Sequence, residues 1–116
     1  MIGKVQQFQT LAQAVQFAAQ SHQVTSQNLA NINTPGFQAK EVSFDELVRQ
    51  VESGRLNEIK DDFEVTNTEG LISRADGNNV DLDRELAQLK KDALAYQTLT
   101  QLLASQLGMM KQAIEG

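Results

Sequence analysis

The sequence has 116 residues, a size that fits one small domain and leaves little room for a second hydrophobic core. Ten Lys and Arg residues against fifteen Asp and Glu residues give a formal net charge of −5, which argues against a basic nucleic-acid surface. Cysteine is absent from the sequence, which excludes disulfides and cysteine nucleophiles. Since no apolar run approaches the length of a signal peptide core or a membrane span, we predict no direct membrane insertion.

The charged residues are concentrated in the middle of the chain. Lys4 is the only charged residue before Lys40, and none occurs from Ala93 to Met110. This distribution divides the sequence into three segments of one assembly domain. Residues 1–37 form an N-terminal helix with a turn motif, residues 38–79 a charged middle segment with a short helix and a loop, and residues 80–116 a C-terminal helix.

The N-terminal segment is predicted to form a long helix from Val5 to Ile32. Apolar or small residues recur at alternating steps of three and four, the heptad spacing of a packing seam. The members of this N-terminal seam are Val5, Phe8, Ala12, Val15, Ala19, His22, Ser26 and Leu29. A second row on another face consists of Ala14, Phe17, Ser21 and Val24. We expect partners on several sides of this helix, although an ordinary amphipathic helix with a neutral polar face fits the same seam.

The helix is followed by a turn motif with the sequence ANINTPGF. Asn33 is expected to adopt the left-handed conformation that ends a helix. Thr34 should be extended because Pro35 follows it, and Pro35 and Gly36 suit the central positions of a type II turn. The candidate residues of the turn motif are Ala30, Asn31, Thr34, Pro35, Gly36 and Phe37.

The middle segment is predicted to contain one short helix. Ser43 to Glu46 form a capping box, which indicates a helix from Phe44 to Ser53 with Gly54 as its C-cap. From Arg55 to Asn79 no period is sustained, although the pattern allows a short strand around Phe63 to Val65. We therefore expect an irregular, partly extended middle segment, mobile unless a partner orders it.

The C-terminal segment carries a longer seam and is predicted to be helical from about Asp81. Asp81 is a suitable N-cap, and Asp83 and Glu85 place negative charge in the first turn, where the helix dipole favours it. The members of this C-terminal seam are Leu82, Leu86, Leu89, Ala93, Tyr96, Thr100, Leu103, Leu107, Met110 and Ile114. A second apolar row contains Leu99, Leu102 and Met109. The predicted fold class is mainly α, with the two long helices paired as an antiparallel coiled coil.

The sequence offers no set of residues for catalysis, a cofactor or a metal. His22 is the only histidine, and its neighbour Ser21 points about 100° away on the helix. Residues 76–87 lack the third oxygen ligand, the Gly and the bidentate Glu of a calcium loop. We predict that the protein is not an enzyme and that His22 has a structural or interface role.

Two blocks of this sequence resemble a known family. The run QNLANINTPGF, from Gln27 to Phe37, is similar to the signature of bacterial flagellar axial proteins, which end their N-terminal helix with ANxxTPGF or ANxxTPGY. The block from Asp76 to Ile114 resembles the proximal-rod member of that family in its DGN-x-VD-x-DRE opening, its Tyr96-Gln97 pair and its SQL-x-MM ending. The residues that match the opening, called the helix-opening motif, are Asp76, Gly77, Asn78, Val80, Asp81, Asp83 and Glu85.

The resemblance implies a structural subunit of the proximal rod of the flagellar basal body, in the periplasmic or cell-wall region. Such a subunit is exported unfolded by the flagellar type III apparatus, polymerises through its terminal helices and transmits motor torque. The implied partners are other rod proteins, the basal-body adaptor protein, export-gate subunits and further copies of the chain. The middle segment is short for this family, so the resemblance does not indicate which partners it contacts.

The seams contain the residues expected to form the assembly surface. These residues are Val5, Phe8, Val15, Leu29, Leu86, Leu89, Tyr96, Leu103, Leu107 and Met110. An alternative that the sequence leaves open is a soluble helical adaptor or secretion chaperone that forms a coiled-coil dimer.

Overall fold

The computed structural model describes residues 2–53 and 62–115, which form a mainly helical chain. The elements in chain order are α1 (Ile2–Ala30), β1 (Lys40–Val42), α2 (Phe44–Ser53), β2 (Val65–Asn67) and α3 (Leu82–Glu115). The molecule is elongated, with principal extents of 64 × 25 × 17 Å. None of the helices in the described residues is both long and apolar enough to cross a membrane. The predicted C-cap Gly54 and the start of the predicted loop lie outside the described residues.

The two long helices pack against each other in antiparallel orientation. Near the end of α1, Asn28 contacts Glu85 in the first turn of α3. Two turns away, Ser21 contacts Asp92. Further towards the start of α1, Thr10 lines the same surface depression as Gln106. The antiparallel helix pair with a short helix and strands between confirms the predicted fold class.

Where α1 ends and α3 begins, the hydrogen bonds between the two helices come from residues outside the predicted seams. On α1 the buried residues include Ser21 and Val24 of the second row and Ala12 of the N-terminal seam, and on α3 they are Glu85 and Asp92. The two rows of α1 are similarly apolar. The middle segment packs on Phe17 and Val24 of the second row, and Ser21 of the same row donates a hydrogen bond to the buried Asp92 carboxylate.

The middle segment adds a small sheet and a small core to one end of the helix pair. Strands β1 and β2 pair antiparallel, with Glu41 opposite Thr66. The sequence interpretation missed β1, because three residues are too few to show a period, and placed the second strand two residues too early. The core consists of Val24, Val42, Leu47 and Phe63, with Phe17 packed against it.

The ends of α2 and the start of α3 agree with the sequence, whereas α1 begins at Ile2, three residues before the predicted start, and also ends early. Helix α2 has the predicted bounds, and Asp81 caps α3, since its Oδ1 accepts a hydrogen bond from the Arg84 N–H at 3.3 Å. Helix α1 ends at Ala30, two residues before the predicted end. The prediction for Asn33 is wrong, because among the described residues only glycines have a positive φ. The change in direction occurs at Gly36, whose φ of 76° meets no Cβ penalty.

Candidate functional site

The structure brings the turn motif and the helix-opening motif together. The Gly36 N–H donates to the Asp76 carbonyl at 2.8 Å, and the Asn79 N–H donates to the Phe37 carbonyl at 3.2 Å. These bonds join segments about forty residues apart in sequence. We call the region formed by residues 30–40 and 74–85 the motif junction. It lies where α1 ends and α3 begins, so it fixes the relative position of the two long helices.

The turn itself has the predicted geometry. Gly36 has a φ of 76°, and the Phe37 N–H donates to the Thr34 carbonyl at 3.2 Å, as in a type II turn. Gly77 packs directly against this turn. Its φ is 84°, and a Cβ at this position would lie 3.3 Å from the Gly36 Cα. The positive φ and the close approach both favour glycine at position 77. A Cβ there would press on the backbone of Gly36, which cannot move aside as a flexible side chain could.

Asn78 holds the end of α1 through its side chain. It is fully buried, and its Nδ2 donates to the carbonyls of Asn31 and Thr34, both at 2.9 Å. Its Oδ1 accepts from the Val80 N–H at 2.8 Å. The amide thus pairs both donors and its acceptor with backbone groups. Asn78 is far from α1 in sequence, but it acts as a C-terminal cap of that helix. A cap of this kind donates hydrogen bonds to carbonyls that have no partner within the helix.

Three further residues complete the motif junction, and sequence reasoning missed all of them. Asn79 accepts from the Ala39 N–H at 2.6 Å and donates to Gln38 Oε1 at 2.8 Å, and Gln38 donates to the Gly77 carbonyl at 2.7 Å. Arg74 donates through Nη2 to the Ile32 carbonyl. Amide side chains beside a turn could have drawn attention to Gln38 and Asn79. Nothing in the sequence pattern singles out Arg74.

Glu85 is a member of the helix-opening motif with an unexpected environment. The sequence suggests a solvated carboxylate at a helix N-terminus, but Glu85 is buried and accepts from Asn28 Nδ2 at 3.1 Å. Burial raises the pKa of the Glu85 carboxyl, and the hydrogen bond from Asn28 and the charge of Arg84 oppose that effect. Asn28 also bonds both backbone groups of Lys40, which links α1, β1 and α3.

A second buried carboxylate lies two turns further along α3. Asp92 accepts hydrogen bonds from Ser21 Oγ at 2.9 Å, Thr25 Oγ1 at 3.1 Å and Gln88 Nε2 at 2.8 Å. All three donors are neutral. Near the motif junction the two long helices are therefore held together by hydrogen bonds more than by apolar contact. We call this set the polar helix interface, which consists of Ser21, Thr25, Asn28, Glu85, Gln88 and Asp92.

The predicted assembly residues differ in exposure within the single chain. Four of them are exposed, namely Val5, Leu86, Tyr96 and Leu107. The other six are partly buried, namely Phe8, Val15, Leu29, Leu89, Leu103 and Met110. His22 is exposed on the same outer side of α1. Within residues 2–53 and 62–115 no three His, Asp or Glu side chains are grouped so as to hold a metal ion. The arrangement is suited to holding helices and presenting apolar surface.

Comparison with known proteins agrees with these features. Residues 8–38, which end at the turn motif, match the family model described as flagella basal body rod protein. FlgB of Bacillus subtilis (strain 168) is 32% identical over 93% of this chain and 92% of its own length. FlgB of Yersinia enterocolitica is 32% identical over 90% of each chain, and FlgB of Escherichia coli (strain K12) is 31% identical over 84% of this chain and 86% of its own.

These matches, together with the paired terminal helices and the intact turn motif, define the class as a structural protein of the flagellar basal body rod. Within that class, the identity over nearly the whole chain is decisive. The chain belongs to the FlgB family of flagellar basal body rod proteins. Its place is therefore the rod of the basal body, in association with other rod components.

Proposed function

We propose that this chain builds the proximal part of the rod by polymerising through its two terminal helices, and that the assembled helices transmit motor torque. The supporting observation is the end of the helix pair away from the motif junction. We call this end the stalk, defined as residues 3–11 of α1 and 100–115 of α3. No residue of the stalk whose side chain is described is buried. Its exposed apolar side chains, between 42% and 78% accessible, are Val5, Leu102, Leu107, Met109 and Ile114.

The stalk has the composition of a surface that becomes buried. It carries three charged residues, Lys4, Lys111 and Glu115, all close to the chain termini. Full burial of a large apolar side chain contributes roughly 1.5 to 3 kcal/mol, so each half-exposed side chain has about 1 kcal/mol still to gain. A surface without charges loses little hydration energy on contact. Neighbouring subunits would supply the burial that the single chain lacks, through the predicted assembly residues.

The small core also supports export of the chain in an unfolded state by the flagellar type III apparatus. In residues 2–53 and 62–115 the apolar core cluster consists of four buried side chains with Phe17 packed against them, and the helices near it are joined by polar contacts. Such contacts add little net stability, because water replaces them in the unfolded chain. The partners we propose are other rod proteins, the basal-body adaptor protein, export-gate subunits and further copies of this chain.

The proposal is tested by adding a charge to the stalk in cells that lack the native gene. Leu107→Asp should leave the chain exported but abolish rods and swimming, because a buried unpaired carboxylate opposes assembly. Leu107 is exposed in the single chain, so the substitution spares the fold. Gln101→Asp adds the same charge to an exposed position on another face of α3 and should permit swimming. Export is measured in the secreted fraction and rods by electron microscopy of basal bodies.

Normal swimming with Leu107→Asp would refute assembly through the stalk. Sedimentation of the purified chain addresses the adaptor or chaperone alternative. A compact dimer that never joins rod structures would favour that alternative and contradict the proposal.

A further inference from the structure

A groove runs between α2 and α3, with α1 as its floor. Helix α2 packs on α1 and, in the part of the chain that is described, makes no contact with α3. The space between them has a volume of about 410 Å³. Apolar side chains from all three helices line it, among them Phe17, Leu47 and Leu99. Phe44 stands at its edge, 60% exposed, with its ring edge-on to Phe17 at 5.8 Å. We call this space the α2–α3 groove.

The charges around the α2–α3 groove are balanced. Its lining contains three basic and three acidic residues, namely Lys40, Arg84, Lys91, Glu41, Glu85 and Asp92. Two of them form an ion pair across one end, with Arg84 Nη2 3.7 Å from Glu41 Oε2. A groove with apolar walls and no net charge does not select an anionic or cationic partner. It suits the apolar face of an uncharged helix, as in other grooves that bind helices.

The stalk of the same chain has these properties. The α2–α3 groove follows α3 from Arg84 to Leu99, a distance of about 22 Å at 1.5 Å per residue. The α3 part of the stalk, residues 100–115, has about the same length and no charge before Lys111. It exposes Leu107 and other apolar side chains. The stalk continues the same helix directly beyond the groove, so a copy cannot place its own stalk in its own groove.

We propose that the α2–α3 groove of one copy receives the stalk of a second copy, head to tail. This inference rests on the proposed function and specifies the contact through which copies join. The two surfaces differ, so each contact leaves one groove and one stalk free, and further copies can add without closure. Phe44 and the exposed stalk leucines become buried together. Aromatic side chains that become buried in such contacts commonly contribute a large share of the binding energy.

Thiol cross-linking tests the contact, because the sequence contains no cysteine and each introduced thiol is unique. Lys91 is exposed and lines the α2–α3 groove, whereas Lys90 is exposed, adjacent in sequence and outside the lining. Full-length chains with Lys91→Cys are mixed with tagged full-length chains with Leu107→Cys and treated with a short bis-maleimide. The tagged and untagged copies should form about tenfold more covalent heterodimer than in the matched Lys90→Cys mixture, since short cross-links require close, correctly oriented side chains.

Equal yields from Lys91→Cys and Lys90→Cys, or no heterodimer from either, would overturn the groove assignment. A chain with both Lys91→Cys and Leu107→Cys should give covalent products longer than dimers. Products that stop at a reciprocal dimer would overturn the head-to-tail arrangement. The same variants are scored for swimming. If cells swim but no cross-link forms between Lys91→Cys and Leu107→Cys, the groove assignment alone is wrong. If cells swim with Leu107→Asp, the proposal that the rod assembles through the stalk is wrong.

Discussion

Asn78 provides the most direct test of the motif junction. In Asn78→Ala the N–H of Val80 loses its partner, and the carbonyls of Asn31 and Thr34 each lose one of two hydrogen bonds. A buried backbone group without a partner, here the Val80 N–H, costs about 1 to 3 kcal/mol, and each hydrogen bond lost at a carbonyl that keeps another costs about 0.5 to 1.5 kcal/mol. We expect the junction to be destabilised by about 3 kcal/mol.

Amide hydrogen exchange measures this loss locally, even if the whole chain is only marginally stable. A change of about 3 kcal/mol corresponds to roughly a hundredfold faster exchange at the Gly36 and Val80 amides. Asn33→Ala, which removes an exposed amide from the same turn, should change exchange by less than about twofold.

A second variant separates hydrogen bonding from packing. Asn78→Asp keeps the size of the side chain and the acceptor for Val80, but it replaces the two donors with a carboxylate that faces two carbonyl oxygens. If the donors hold the end of α1, this variant loses at least as much protection as Asn78→Ala. If the amides of Asn78→Asp are protected from exchange nearly as well as those of the unmodified chain, packing of the side chain alone holds the end of α1. That result would refute the role of the two donors.

Two other substitutions probe the polar helix interface and the turn. Burial raises the folded-state pKa of Glu85, so the stability linked to this group is complete at acidic pH and is lost as pH rises through the raised value. Glu85→Gln should therefore gain stability relative to the unmodified chain as pH rises from acidic towards neutral in urea unfolding, and parallel pH profiles would contradict this. Gly36→Val forces a β-branched residue to a φ of 76°, at a cost of about 1 to 3 kcal/mol, and should impair rod formation and swimming. Gly36→Asn, which tolerates this conformation, should retain both, and normal rods from Gly36→Val would show that the turn is dispensable.

The sequence predicts those features that depend on local rules. The long helices follow from apolar spacing, the start of α3 from the capping role of Asp81, and the turn from the conformational freedom of Gly36. In each case the deciding interaction lies within a few residues of the pattern that indicates it.

The features that the sequence did not predict depend on contacts between distant segments. Either apolar row of α1 could have faced α3, and the outcome depends on where Phe63 and Val42 pack. Glu85 looks like an ordinary acid of a first helical turn until Asn28, 57 residues earlier, supplies a hydrogen bond. Strand β1 is too short to have a recognisable period, and the hydrogen bond of Arg74 to Ile32 depends on the fold alone.

The hydrogen bonds of the motif junction impose an order on folding. Asn78 contacts the carbonyl of Asn31 across a separation of 47 residues, and Asn79 contacts Ala39 across 40. A loop of that length must close before any of these bonds can form, and the entropy of closure is lost at that moment. For a chain that leaves a narrow conduit end first, neither motif can form the junction until the other has emerged. In such a chain the contact that fixes how the two long helices lie against each other forms late.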